Sequence, residues 1–137
     1  MTIFSVSLRI QSETLSAEEM VTALGLEPDV VMRKGEPVSP SSSTIRKWAE
    51  VRFLSSLSGG RREPEERVGE YLLELVTPLE RLAVSGLGDD ASASVSIGMH
   101  SRGMGNIVSF DPPFLAVLAN ANAWLSVDAY PPLEQDA

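Results

Sequence analysis

The chain has 137 residues, 43% of them hydrophobic and 22% charged, with 11 basic against 19 acidic side chains and no cysteine. These values describe one globular domain, long enough to bury roughly 65–70% of the surface its unfolded form exposes without help from disulfides or metals. Lack of cysteine excludes a disulfide framework, a thiol nucleophile, a thiolate zinc site and an iron–sulfur cluster, and it fits a cytoplasmic setting.

The formal charge of −8 is uneven. Residues 1–60 carry 6 basic and 7 acidic groups, whereas residues 61–137 carry 5 and 12. Phosphate backbones are repelled by such a balance, so no nucleic-acid partner is expected. Residues 1–10 lack the basic and continuously apolar regions of a signal peptide. The longest apolar stretch, residues 114–125, is short and carries Asn120 and Asn122, so no membrane span is expected either.

Phe4, Val6, Leu8 and Ile10 alternate with Ser5, Ser7 and Arg9, the period of a strand with one buried and one wet face. Ser16 and Glu19 form a capping box, Met20, Val21 and Leu24 follow at helical spacing, and Gly25 supplies a stop. These signals predict a helix over 17–25. Residues 27–44 hold Pro28, Gly35, Pro37, Pro40 and a serine run with neither period, and are expected to form a long loop. Ala49, Val51 and Phe53 alternate with Trp48, Glu50 and Arg52 in a second strand that ends before Gly59 and Gly60.

From Pro64 onward, Val68, Tyr71, Leu72, Leu75, Leu79, Leu82 and Ala83 recur at three- and four-residue intervals, predicting a long amphipathic helix. Thr77 and Pro78 predict a kink or break inside it. A third strand follows at 91–100, with Ala91, Ala93, Val95, Ile97 and Met99 facing inward. Its outer side carries Ser92, Ser94, Ser96, Gly98 and His100. Gly103 and Gly105 turn the chain into a short fourth strand at 107–110. Asp111 and Pro112 then open a helix with Phe114, Leu115, Val117 and Leu118 inward, and Asn120 to Asn122 end it. In the last strand Ala123, Leu125, Val127 and Ala129 lie opposite Trp124, Ser126, Asp128 and Tyr130.

No repeat is visible, so residues 1–130 are expected to form one domain, followed by a polar tail over 131–137. Every strand is half polar, so helices cannot cover both faces of the sheet. The expected architecture is therefore a two-layer α+β sandwich, with a mixed or antiparallel sheet of about five strands and three helices on one face.

Several catalytic classes lack their residues. With His100 as the only histidine, and carboxylates at no recognisable ligand spacing, no metal site or other cofactor is expected. Ser101 and His100 are neighbours that point to opposite faces of a strand, and Gly98-Met-His-Ser-Arg-Gly103 lacks the spacing of a nucleophile elbow. Gly86-Leu-Gly-Asp-Asp-Ala91 matches a dinucleotide fingerprint in letters only, because a helix precedes it and a strand follows. A non-enzymatic protein is the expectation. Glu63, Glu66, Glu70 and Glu74 line one side of the long helix, which favours a solvated face over a dock for a basic partner.

One constellation stands out. If the apolar partners in each strand face the helices, then Arg9, Trp48, Glu50, Arg52, Ser92, Ser94, Ser96, His100, Trp124, Asp128 and Tyr130 share the opposite sheet face. Tryptophan, tyrosine and arginine are enriched where interfaces concentrate their energy. Three readings follow: the 27–44 loop folds over this face and buries the tryptophans, a second copy pairs there as a homodimer, or another molecule binds. Arg9, Trp48, Glu50, Arg52, His100, Trp124, Asp128 and Tyr130 are the candidate binding surface. A ligand-binding or catalytic pocket between this face and the 27–44 loop, with Glu50, Arg52, His100 and Asp128 as polar groups, is the alternative.

Leu24-Gly-Leu-Glu-Pro28, then Lys34-Gly-Glu36, then Trp48 opening a strand, then a closing Leu125-Ser-Val-Asp-Ala-Tyr130 resemble a mainly bacterial, uncharacterised family known as domain of unknown function 4279. The resemblance extends from the first strand to Tyr130. It implies a small α+β cytoplasmic protein with no established activity or cofactor, and it carries no catalytic residues. Small bacterial proteins of this kind are suspected of acting as immunity proteins against secreted toxins. The acidic balance suits a basic protein partner of that sort.

Overall fold

A computed structural model describes residues 2–57, 59–101 and 108–131. The longest strand, β1 (Thr2–Ser12), is central because its alternating residues Val6, Leu8 and Ile10 are all fully buried on one face. β3 (Ala49–Leu54) and β5 (Ser92–His100) pair antiparallel along its two edges. β2 (Val30–Met32) lies antiparallel outside β3, and β6 (Trp124–Tyr130) lies parallel to β5. The order is β2-β3-β1-β5-β6, and a two-residue strand, β4 (Glu63–Pro64), pairs with the start of β1.

Four helices, α1 (Ala17–Leu24), α2 (Val68–Leu73), α3 (Val76–Val84) and α4 (Pro112–Asn120), complete an α+β fold on a mixed sheet. Met20, Tyr71, Leu72, Leu79 and Phe114 from these helices join the inward residues of β1, β3 and β5 in one apolar cluster.

Helix boundaries follow local chemistry. Ser16 and Glu19 cap α1 reciprocally, and Gly25 ends it at φ +67°, a conformation that costs glycine little. Asp111 caps α4 by accepting the Phe114 N–H at 3.1 Å, with Pro112 in the first position. The long amphipathic segment is two helices rather than one, so the described residues form four helices in place of the expected three. The break falls at 74–75, just ahead of the expected Thr77 cap. Pro78 sits in the first turn of α3, where its missing N–H sacrifices no helical bond.

Three other expectations are corrected. Residues 27–44 are not an unstructured loop: β2 extends the sheet edge, and the segment beyond it folds back on itself through a bridge between Pro37 and Ile45. Val108–Phe110 are irregular instead of forming a strand, and Ile107, like Gly103 and Gly105, lies outside the described residues. Leu115 is exposed, because Phe114, Val117, Leu118 and Ala121 already form the inward edge of α4 and Leu115 falls beside it.

Phe4 is the most informative correction. The pairing of β1 with β5 slips between Ile3 and Ser5, so Ile3 takes the core position and Phe4 joins Ser5 on the outer face. There its ring lies 4.9 Å from that of His100 and 5.6 Å from that of Tyr130. It also covers Gly98, whose missing Cβ would stand 2.6 Å from Ser5 Oγ and 2.7 Å from Phe4 Cζ. Gly98→Ala is therefore expected to cost about 1–2 kcal/mol by overpacking. Phe4→Ala in the same chain should relieve the part of that cost due to the ring and leave the contact with Ser5 Oγ, a coupling that a double-mutant cycle in urea would measure.

Candidate functional site

The face opposite the helices is built in rows, because residues paired across strands share a side. One row runs Val30, Arg52, Arg9, Ser94, Trp124. Another runs Met32, Glu50, Gln11, Ser92, and a third runs Leu54, Ser7, Ser96, Ser126. Gly98 pairs with Asp128, and His100 pairs with Tyr130. Trp48 precedes β3 two residues from Glu50, beside Gln11 and Ser92. All eight candidate residues lie on this face, but they form separate groups.

Arg9, Glu50 and Arg52 make the first group. Glu50 is only 3% exposed although it is on the outer side. It accepts a hydrogen bond from Gln11 Nε2 at 2.5 Å and one from Arg52 Nε, and Arg9 Nε stands 3.7 Å away. One carboxylate thus holds two guanidiniums that face each other across the β1–β3 pair. Gln11 was legible as the residue two beyond Arg9 on the same side, but its partnership with Glu50 spans 39 positions.

His100 and Tyr130 make the second group, joined by Phe4. The histidine's Nδ1 lies 3.2 Å from the Pro131 carbonyl, and its ring is packed among the two aromatic rings. Its surroundings are those of a packed strand end. Asp128, Trp48 and Trp124 stand apart from both groups.

No part of the 27–44 segment crosses this face. Arg33 pairs with Glu18 of α1 at 2.5 Å, and Lys34 Nζ donates to the Glu13 carbonyl, which draws the segment toward the end of β1 and the helical side. The tryptophans are accordingly 40% and 73% exposed at Trp48 and Trp124, and the pocket expected beneath that loop does not form. A shallow concavity of about 620 Å³ lies instead over the middle of the sheet. Its floor holds Ser7, Arg9, Arg52 and Ser96, and Leu54, Leu57 and Gly59 form its wall.

The acidic ladder is largely engaged in local bonds. Arg67 bridges Glu63 at 2.8 Å and Glu70 at 2.6 Å, and Glu74 accepts from the Ser56 N–H and hydroxyl. The hydrogen bond from Arg67 holds the Glu70 carboxyl below its usual range. This is a solvated, self-paired face, and exposed pairs of this kind add little to stability. Among the described residues, no three histidine or carboxylate side chains converge as a metal site would require, and no helix is long and apolar enough to cross a membrane.

Helices on one side of a mixed sheet, with a polar and aromatic face on the other, define an α+β protein. Residues 2–132 match the model described as domain of unknown function (DUF4279), and the chain belongs to that family. No curated protein and no solved structure matches it.

Proposed function

We propose that the protein is a non-enzymatic interaction module that docks another folded protein on its outer sheet face, in the manner of an immunity protein covering a toxin domain. The observation that supports this reading is the pair of open indoles. Trp48 and Trp124 lie three strands apart and four residues apart along the strand direction, a separation on the order of 20 Å. A small molecule cannot bridge that span. A protein interface burying about 800 Å² on each side covers it readily. The acidic balance of the chain favours a partner with basic surroundings.

The test uses a partner captured by the tagged protein from its own cells, then purified and titrated by calorimetry. Trp48→Ala combined with Trp124→Ala should leave the circular dichroism and thermal midpoint close to wild type, because both side chains are exposed. Binding should fall at least 100-fold, as expected for central aromatic anchors. An unchanged affinity in the folded double variant would overturn the proposal.

A further inference from the structure

We infer that the concavity at the centre of the outer face binds a small molecule carrying a single oxyanion, carboxylate or phosphate, on a hydroxyl-bearing body. The anion is taken by the amino groups of Arg9 and Arg52. Both guanidiniums turn their Nε toward Glu50 and make no other hydrogen bond or ion pair among the described residues, which leaves their terminal Nη donors for a ligand at the concavity they line.

Charge accounting points the same way. Arg9 and Arg52 are direct cross-strand neighbours, an arrangement in which like charges repel, and the single carboxylate of Glu50 neutralises only one of them. A purely structural ion pair would need one arginine. The second leaves a local positive charge on a chain of net charge −8, held in place by a buried carboxylate. Planar guanidiniums fixed through Nε present the paired donors that match a carboxylate or phosphate edge.

The remainder of the concavity selects the body of the ligand. Ser7, Ser94, Ser96 and Ser126 line it, and none of their hydroxyls bonds to another described residue, so they can donate to and accept from a polyol. Asp128 closes the far end, about 13 Å along the strands from the arginine row, and repels a second anion there. The volume, about 620 Å³, suits a small metabolite. Neither tryptophan lines this concavity, so the inference rests on residues other than those that support the protein partner proposed above.

The test is a ¹⁵N NMR titration of the full chain with gluconate and, separately, with glycerol 3-phosphate. Chloride keeps the ionic strength constant, and sorbitol serves as the uncharged control. At least one of the two anions should give saturable shifts at the amides of Ser7, Ser94 and Ser96, and which one does so assigns the oxyanion. Arg9→Lys and Arg52→Lys keep a cation beside Glu50 but remove the planar fork, and each should weaken binding about tenfold. Asp128→Asn, remote from Glu50, should tighten binding two- to threefold by roughly halving the local repulsion, and it decides the matter if a lysine variant fails to fold. Shifts no larger than those with chloride or sorbitol, or affinities indifferent to these substitutions, would overturn the inference.

Discussion

Replacing Arg9 and Arg52 together with methionine is expected to destabilise the protein by about 2–4 kcal/mol, far more than a pair of surface charges would. The reason lies in Glu50. Methionine keeps the apolar cover that the arginine stems provide but removes both cations, leaving a carboxylate that is 3% exposed with only Gln11 as a hydrogen-bond partner. The arginine side chains are 43% and 31% exposed, so water screens part of the interaction, and this places the expected loss below the full cost of orphaning a buried ion. Either single replacement should cost about 1 kcal/mol or less, because the remaining guanidinium still satisfies the carboxylate. The two effects are therefore strongly non-additive. Adding Glu50→Gln to the double variant should restore most of the stability, since an amide needs no counter-charge. Urea unfolding of the five proteins measures each step. Losses that simply add, or a triple variant no better than the double, would mean that Glu50 is hydrated and positions nothing.

The alternating residues of β1, of β3 with the Trp48 that precedes it, and of β5 and β6 were enough to assign all eight candidate residues to one side of the sheet, because side-chain direction in a regular strand depends only on parity. Phe4 escaped that logic through the pairing slip at Ser5. A bulge inverts parity for every residue before it, and nothing in the run from Ile3 to Ile10 announces one. β2 escaped because three residues, Val30 to Met32, are too few to display a period, and the flanking Pro28 and Gly35 argue for a loop. The burial of Glu50 could not be read locally. It depends on Gln11, Arg9 and Arg52, which reach it only after β1 and β3 pair. Whether the face is open turned on Lys34 and Arg33, two exposed cations whose bonds to the Glu13 carbonyl and the Glu18 carboxylate draw the 27–44 segment away from the tryptophans. Such long-range choices among surface partners differ by little energy and leave no mark in composition.

Leu8→Ala and Leu115→Ala separate core from surface where the sequence treats the two leucines alike. Both fall at positions that periodicity assigns inward, yet Leu8 is fully buried at the middle of the central strand and Leu115 is exposed beside the packed edge of α4. Leu8 is flanked across the sheet by Phe53 and Val95, both buried, so its truncation leaves a cavity that two paired strands cannot close without breaking register. A loss of about 3–4 kcal/mol is expected, combining lost transfer energy with the cavity left behind. Leu115→Ala removes mostly hydrated surface, and alanine is the stronger helix former, so its effect should stay within about 0.5 kcal/mol. Thermal and urea midpoints of the two variants would check the ordering. Equal losses would place Leu115 in the core and α4 in a different rotation about its axis. Because α4 is the crossover between the parallel strands β5 and β6, a rotated helix would also change what supports β6, and with it the setting of Trp124, Asp128 and Tyr130 on the outer face.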